Sequence, residues 1–409
     1  MRVGILVLAL LTLGGRRAAG QDGSVVGRDS AMAHARSLAG AHRTDQARAA
    51  YMDWLASHPR DAAAWRDLGR EELRAGRPQA AERALNQALA LEDEPNARER
   101  LLVARALAAP AVEPVFGGSR DSDGNTITRT GIRADVAPAD GARVGIAAEH
   151  NTLADGLDTG RETAISLSGR WRPLAALNLD ASAGVQQIES SSRPLPSATL
   201  PSADFRLRYQ TPGNGPRLDL RGRHDALALS PALIANRVRR SEISAKLDLP
   251  VGPLWLRGMT RLGALDAGLE TNYRRLFAGG IAVPLSVGTE LSGQFQQLSY
   301  SAPTTAGYFA PRRAQVVEAG TYAEVEPLAG WSLALDVGGG MQRTAQFGFP
   351  MGSWSGSFRL WTVSSVALQP GRDLVLEVEA YDAPLAAVAA TTSASWRWAS
   401  ASVSLRWAL

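Results

Sequence analysis

The sequence contains no cysteine, and Lys246 is its only lysine. The absence of cysteine excludes disulfide bonds and thiolate metal sites. The net charge of +4 over 409 residues comes from scattered arginines, unlike the dense basic stripe of a nucleic-acid-binding protein. We therefore expect no nucleic-acid partner.

Long hydrophobic runs are almost absent as well. The one near the start follows Arg2 and covers residues 3–13, with Ala18 and Gly20 at the −3 and −1 positions of a cut before Gln21. This pattern predicts a signal peptide over residues 1–20. No later segment offers about 18 consecutive apolar residues. If the mature chain enters a membrane, it does so as strands.

Residues 28–108 lack any strand pattern and are rich in Ala, Leu, Arg and Glu. They predict a small all-α domain, and residues 62–95 follow the tetratricopeptide pattern. The matching positions are Trp65, Leu68 and Gly69 in the first helix and Ala81, Leu85 and Ala88 in the second.

An earlier, weaker copy of this pattern ends at Pro59, with Ala47 and Tyr51 placed 34 residues before Ala81 and Leu85. A helix over residues 97–108 would cap the last repeat with Leu101, Ala104 and Leu107 on its apolar face. The alternative is a generic helical hairpin that only spaces the remaining chain from something else.

From Glu113 onward apolar and polar residues alternate with a period of two. For example, Phe205, Leu207 and Tyr209 alternate with polar neighbours. This period indicates strands with one apolar and one polar face, in either a soluble antiparallel sheet or a membrane barrel.

The turns favour the membrane barrel. Proline recurs at intervals of 34 to 43 residues and marks seven short connections; the prolines are Pro138, Pro173, Pro212, Pro250, Pro284, Pro327 and Pro370. Longer polar loops lie between them, for example over residues 189–203, 225–236, 300–307 and 343–352. Short turns on one rim and long loops on the other are typical of outer-membrane barrels. Residues 113–409 therefore predict an all-β transmembrane antiparallel barrel of about 16 strands, each of roughly 9 to 14 residues. A soluble β-sandwich or propeller is the alternative.

The end of the chain supports the same interpretation. Val403, Leu405, Trp407 and Leu409 lie on one face of a final strand, which resembles the recognition signal of the barrel-assembly machinery. An even number of strands places both ends of the barrel on one rim. The helical region is then expected in the periplasm.

Motifs for chemistry are weak. The five histidines have no metal-ligand spacing. The segment from Gly352 to Gly356 has Trp354 where a nucleophile elbow needs serine. The segment from Asp121 to Asn125 resembles the start of a calcium loop but lacks the downstream glutamate. We expect no enzyme activity, no metal and no cofactor.

The polar faces of three adjacent strands are the best candidate for function. They carry Arg206, Arg208, Arg217, Asp219, Arg221, Arg223, Glu242 and Lys246. These residues would either guide a polymer through the lumen or form a wall of ion pairs that brace one another. Trp255 shares a strand face with Arg257 and Arg261, as in a sugar-stacking track; anchoring at the membrane rim is its alternative role.

A short motif, Gly307-Tyr308-Phe309-Ala310-Pro311-Arg312-Arg313, is similar to the Tyr-Phe-Ser-Pro-Gln motif of the outer-membrane exopolysaccharide exporters. The nearest type is the C-terminal barrel domain of the outer-membrane exporter that belongs to the cellulose-synthase operon; the poly-N-acetylglucosamine export porin is more distant. The Asp121–Asn125 segment is also similar. The resemblance covers about 295 residues, from Glu113 to the C-terminus. Ala310 and Arg312 depart from the motif, and two repeats replace a long array.

This resemblance implies passive export of a cellulose-like or related polysaccharide through the barrel. The repeats would bind polymer, peptidoglycan, a periplasmic lipoprotein or the synthase complex, and the barrel would sit in outer-membrane lipid. Two alternatives remain: a non-transporting scaffold or adhesin with a plugged lumen, and a small-solute porin.

Overall fold

The computed structural model describes residues 26–191, 196–211, 215–382 and 396–409. The predicted signal peptide lies outside the described residues. Five helices come first in the described chain: α1 (Val26–Gly40), α2 (Thr44–Ser57), α3 (Ala62–Arg74), α4 (Pro78–Leu91) and α5 (Pro95–Ala108). No helix among the described residues combines the length and the hydropathy that a membrane span requires.

The helices pack in sequence order around small and aromatic residues. Tyr51 and Leu85 are fully buried, as the repeat pattern predicts. Gly69 lets α3 approach α4, because a Cβ atom at this position would lie 2.6 Å from the Leu85 side chain. Leu107 was expected on the apolar face of α5 but is 37% exposed, since that face turns away from α4 at the last turn. The tetratricopeptide assignment itself stays a prediction.

Sixteen antiparallel strands form a closed barrel in which each strand pairs with its sequence neighbours and β16 pairs with β1. The strands are β1 (Ala111–Asp121), β2 (Thr126–Ala139), β3 (Ala142–Ala154), β4 (Thr159–Leu174), β5 (Leu177–Ser190), β6 (Ala198–Gln210), β7 (Arg217–Ala226), β8 (Arg239–Val251), β9 (Leu254–Asp266), β10 (Thr271–Ser286), β11 (Thr289–Tyr300), β12 (Arg313–Leu328), β13 (Trp331–Ala345), β14 (Ser355–Gln369), β15 (Arg372–Asp382) and β16 (Arg397–Ala408). The predicted strand count is confirmed. A short helix, α6 (Pro231–Ala235), lies between β7 and β8.

Strand lengths and one loop differ from the prediction. The strands have 10 to 16 residues rather than 9 to 14, because the ladder hydrogen bonds continue beyond the alternating segments. The predicted loop over residues 189–203 is shorter, since β6 begins at Ala198 and pairs there with Ile188. Pro201 and its small neighbours hide the alternation in the sequence.

The two rims of the barrel differ as the prolines predict. The predicted connections at Pro138, Pro173, Pro250, Pro284, Pro327 and Pro370 are short links between an even-numbered strand and the next strand, and Pro212 lies outside the described residues. We call this end the turn rim. In several of these links a glycine takes a positive φ, including Gly141 (+74°) and Gly371 (+80°), a conformation that glycine adopts without steric cost. The opposite end, which carries the loops over residues 227–238, 301–312 and 346–354, is the loop rim.

The faces of the barrel follow from side-chain contacts. Arg257 on β9 reaches Glu290 on β11 at 2.7 Å, although alternate strands are about 9.6 Å apart. Side chains from alternate strands can approach this closely only on the concave face of the barrel. Arg257 and Glu290 therefore line the lumen, together with every second residue along their strands. The other face carries exposed apolar side chains such as Phe205 (47%) and Ile243 (63%). An apolar outer band of this kind is the surface that a barrel presents to lipid.

The helical region contacts the turn rim directly. The backbone N–H of Ala80 donates to the Asp140 carboxylate at 3.0 Å, and the backbone N–H of Ala175 donates to the Asp45 carboxylate at 2.9 Å. The Arg143 guanidinium donates to the carbonyl of Leu107 at the end of α5. These bonds hold α4 and α5 against the connection between β2 and β3, and α2 against the connection between β4 and β5.

Candidate functional site

Four predicted arginines lie on the lumen face, and we call Arg206, Arg208, Arg221 and Arg223 the arginine wall. Each is paired with a carboxylate on its own or a neighbouring strand. Arg206 contacts Asp219 at 3.0 Å, Arg208 contacts Asp180 at 2.9 Å, Arg221 contacts Asp204 at 2.9 Å and Arg223 contacts Asp225 at 2.6 Å. Their side chains keep 40 to 43% of their surface exposed. The wall is therefore ion-paired and still open to a solute.

The remaining predicted lumen residues have other partners. Glu242 contacts Arg261 at 3.3 Å and Arg274 at 3.6 Å, not the arginine wall. Lys246 lies 3.8 Å from Asp248 on its own strand. Glu242 and Asp248 both lie on β8, and the neighbouring strands β7 and β9 carry arginines on the same face. The alternating pattern of these strands therefore places opposite charges next to each other.

Trp255 lies on the lumen face with Arg257 and Arg261, which is one of its two expected positions. It lies near the turn rim but faces the lumen, which excludes anchoring in lipid. The Arg217 guanidinium sits over its ring at 4.6 Å, and the side chain is 8% exposed. The ring is thus covered by a cation and offers little free surface for stacking on a sugar.

An acidic wall faces the arginines from β11 to β15, and the sequence analysis did not single it out. Arg359 holds two of its members, Asp336 at 2.9 Å and Glu318 at 3.7 Å. Glu324 and Glu379 line the same cavity. The sequence of β12 could have indicated this wall, because Glu318, Tyr322 and Glu324 are an even number of residues apart and therefore lie on one face of the strand. It was missed because the two glutamates do not form a continuous run of alternating charges.

One cavity of about 1170 Å³ lies in the lumen against the acidic wall, and the four residues of the arginine wall are not part of its lining. Its lining runs from Arg217 and Lys246 past Trp255 to Glu379, and it also includes His42 from the turn between α1 and α2. A second cavity of about 890 Å³ lies between His42–Gln46 and the turn rim. The helical region therefore forms part of the mouth through which a solute would enter the lumen at this end.

At the loop rim, two loops fold into the lumen. We call residues 227–238 and 301–312, together with Trp396, the plug. Leu233, Tyr308 and Phe309 belong to one buried apolar cluster with Leu276 and Leu298 of the barrel wall. On the other side Ile234 packs against Ile127, Leu153 and Ile188. Within the described residues the plug thus reaches the inner wall on opposite sides of the barrel.

The family-like motif lies in this plug. Tyr308 and Phe309 are 4% and 6% exposed. The carbonyl of Pro311 accepts from the backbone N–H of Tyr300 at 3.2 Å, and Arg312 donates to the carbonyl of Phe349 at 3.3 Å. The motif therefore ties the loop between β11 and β12 to its neighbours and packs it inward.

Local geometry explains why the two plug loops fit together. Ser230 caps α6 by accepting from the backbone N–H of Leu233 at 3.3 Å. Gly307 has φ +89°, and a Cβ atom there would lie 2.9 Å from Ala232. The Asn236 side chain donates to the carbonyl of Ala306 at 3.0 Å. These bonds at the edge of the buried apolar cluster fix α6 and hold the two loops together.

The weaker motifs have structural roles. The Asp121 carboxylate accepts from the backbone N–H groups of Asp123 and Asn125 and from the indole of Trp396 at 3.1 Å, so it shapes the turn between β1 and β2. Trp354 lies under the Arg343 guanidinium at 4.4 Å. Among the described residues, no group of three or more His, Asp or Glu side chains is arranged to hold a metal ion.

No protein-family model matches the sequence, and no curated protein matches it either. Solved structures do match the fold. A bacterial polysaccharide outer membrane secretin superposes with a TM-score of 0.51 at 11% identity, over 73% of this chain and 98% of that one. The CymD monoaromatic hydrocarbon channel matches with a TM-score of 0.41 at 10% identity, over 75% of this chain and 91% of that one. OccK11 (OpdR) of Pseudomonas aeruginosa matches at 0.38 and 11%, over 74% and 96%. The fold is that of outer-membrane barrels.

Proposed function

We propose that this chain is an outer-membrane conduit that exports a hydroxyl-rich polysaccharide, with its helical region in the periplasm. The observation that carries the proposal is the lumen cavity of about 1170 Å³, which is lined by charged side chains of both signs. Most charges there are paired, for example Arg257 with Glu290 and Arg359 with Asp336. A wall of this kind offers many hydrogen-bonding groups and few unpaired charges. It suits a polymer that moves through many weak contacts, none of them essential.

The barrel fold, shared with a structure described as a polysaccharide outer membrane secretin, supports the proposal at the level of architecture. The position of His42 and Asp45 at the turn-rim mouth supports a role for the helical region in receiving the polymer. The remaining surface of the helical region is proposed to bind peptidoglycan, a lipoprotein or the polymer synthase. We propose no enzymatic step: export is passive.

Export through this lumen requires the plug to move. In the conformation described, Leu233 and Phe309 fill the loop end of the lumen with apolar side chains. A polysaccharide could pass only after residues 227–238 or 301–312 leave that position. The conduit is therefore closed at rest in this proposal.

Planar-bilayer recording tests the proposal. The full-length protein and a plug variant, Leu233→Ala, would be recorded while neutral gluco-oligosaccharides of increasing length are added on the helical side. We expect current blockade that lengthens with chain length in the plug variant, and weaker blockade by oligouronates of equal length. Blockade that is absent at every length, in a variant that conducts ions, would contradict polysaccharide export.

A small-solute porin is the second candidate. The cavity of about 1170 Å³ beneath the plug has room for a small molecule, and a solute of that size needs a smaller opening past the plug than a polymer does. Liposome-swelling rates distinguish the two functions: a porin admits monosaccharides and small ions in the unmodified protein, whereas the closed conduit admits neither until the plug is weakened.

A further inference from the structure

A groove runs along the lipid-facing wall at strands β6 to β10. Its volume is about 770 Å³, within the roughly 300 to 1,000 Å³ range of ligand clefts. Ala203, Gly222 and Ala264 form its floor, while Phe205 and Ile243 form its sides. The floor is open because a Cβ atom added at Gly222 would meet no atom within 4 Å.

These residues face away from the lumen. Gly222 is paired with Phe205 and Ile243 in the strand register, and those two side chains are 47% and 63% exposed. A groove on this wall is filled by lipid when the barrel is in a membrane, because water does not reach the apolar band. Its long apolar shape fits an acyl chain.

The end of the groove toward the loop rim carries a cation. Arg275 lines the groove, is exposed, and makes no hydrogen bond or ion pair with any of the described residues. It is the fifth residue of β10 counted from the loop rim. His224 lines the same groove and lies third from that end of β7, with Nδ1 2.8 Å from the Ser241 hydroxyl. An arginine on a lipid-facing wall costs least near the interface, where an anionic headgroup can pair with it.

We propose that this groove binds one phosphate-bearing lipid of the leaflet at the loop rim. One acyl chain lies over Ala203, Gly222 and Ala264, and the phosphate pairs with Arg275. A planar guanidinium matches phosphate oxygens in a bidentate arrangement. The inference rests on a membrane-embedded barrel and does not depend on what the lumen carries.

Native mass spectrometry of the full-length protein in detergent micelles tests this site, with lipid A and chemically dephosphorylated lipid A as probes. Gly222→Leu fills the floor, and Arg275→Gln removes the cation. Each variant has a matched control away from the groove. Gly356→Leu changes an outward glycine on β14 whose Cβ would also meet no atom within 4 Å. Arg120→Gln changes an exposed outward arginine at the loop rim on the opposite side of the barrel.

We expect the lipid-bound fraction to fall about tenfold in Gly222→Leu for both probes. Arg275→Gln should lower binding of lipid A about tenfold but leave the dephosphorylated probe unchanged. Both controls should bind as the unmodified protein does, and heat-modifiable migration would verify that each variant is folded. Unchanged binding in Gly222→Leu would overturn the groove as the site. An equal loss of both probes in Arg275→Gln, or no loss of either, would overturn the assignment of the phosphate to Arg275. Both positions face away from the lumen, so we expect unchanged conductance in either variant, and a failed export proposal would leave this result standing.

Discussion

Leu233 is the residue at which the plug can be weakened most directly. Its side chain is fully buried in the cluster that joins α6 to the barrel wall. Replacing a buried leucine with alanine costs about 2 to 5 kcal/mol. Since about 1.4 kcal/mol corresponds to a factor of ten, Leu233→Ala should shift the equilibrium between closed and open plug by about 30-fold or more. This magnitude holds if Leu233 leaves its contacts when the plug opens.

Single-channel recording measures that shift as open probability. The matched control is Leu256→Ala, which removes the same atoms from an outward position on β9 that is 44% exposed. We expect frequent openings in Leu233→Ala and the closed behaviour of the unmodified protein in Leu256→Ala. The polar anchors that remain, including the bond from Asn236 to the carbonyl of Ala306, should make the openings transient. Equal open probability in the two variants would refute the idea that the plug is the barrier to conduction.

Three further predictions concern the walls and the helical region. Replacing all four residues of the arginine wall with serine should leave the barrel folded, because exposed ion pairs contribute about 0 to 1 kcal/mol each to stability. The same replacement should shift the ion selectivity of the pore toward cations in reversal-potential measurements. Unchanged selectivity together with a lower melting temperature would instead identify the wall as a structural brace. Deleting residues 28–108 should still give a heat-modifiable barrel, because ladder hydrogen bonds between β1 and β16 close the barrel without the helices. Failure of the truncated chain to insert into liposomes would show that the helical region and the barrel do not fold independently. Asp61→Ala should destabilise the helices by about 1 kcal/mol, and circular dichroism at 222 nm would follow their unfolding. The reason is that the Asp61 carboxylate caps α3 by accepting from the backbone N–H of Ala64, and it also accepts from the Trp54 indole at 2.9 Å. Burial raises the pKa of Asp61, but these hydrogen bonds outweigh it and lower the pKa below its ordinary value, so this stabilisation should be present at neutral pH and be lost as the pH falls through the lowered pKa.

The sequence by itself determined the barrel. Because side chains alternate strictly between the two faces of a strand, the alternation at Phe205, Leu207 and Tyr209 assigns their polar neighbours to the lumen. The prolines at regular intervals mark every connection of the turn rim. Closure, by contrast, is a long-range event: the pairing of Ala111 with Ala408 could be expected only from the strand count.

The tertiary structure decided what the lumen contains. The pairing of Arg221 with Asp204 follows from two adjacent strands and could be anticipated, whereas the contacts of Arg257 with Glu290 and of Arg359 with Glu318 reach across an intervening strand. The plug is a stronger case. The segments around Leu233 and Phe309 are about 75 residues apart in the sequence. Residues 227–238 are mostly apolar, which marks them as unlike a polar surface loop, but no local pattern shows that the two segments meet. They fold inward because only there can their apolar side chains be buried together, and a loop's destination depends on the space that the finished barrel leaves open.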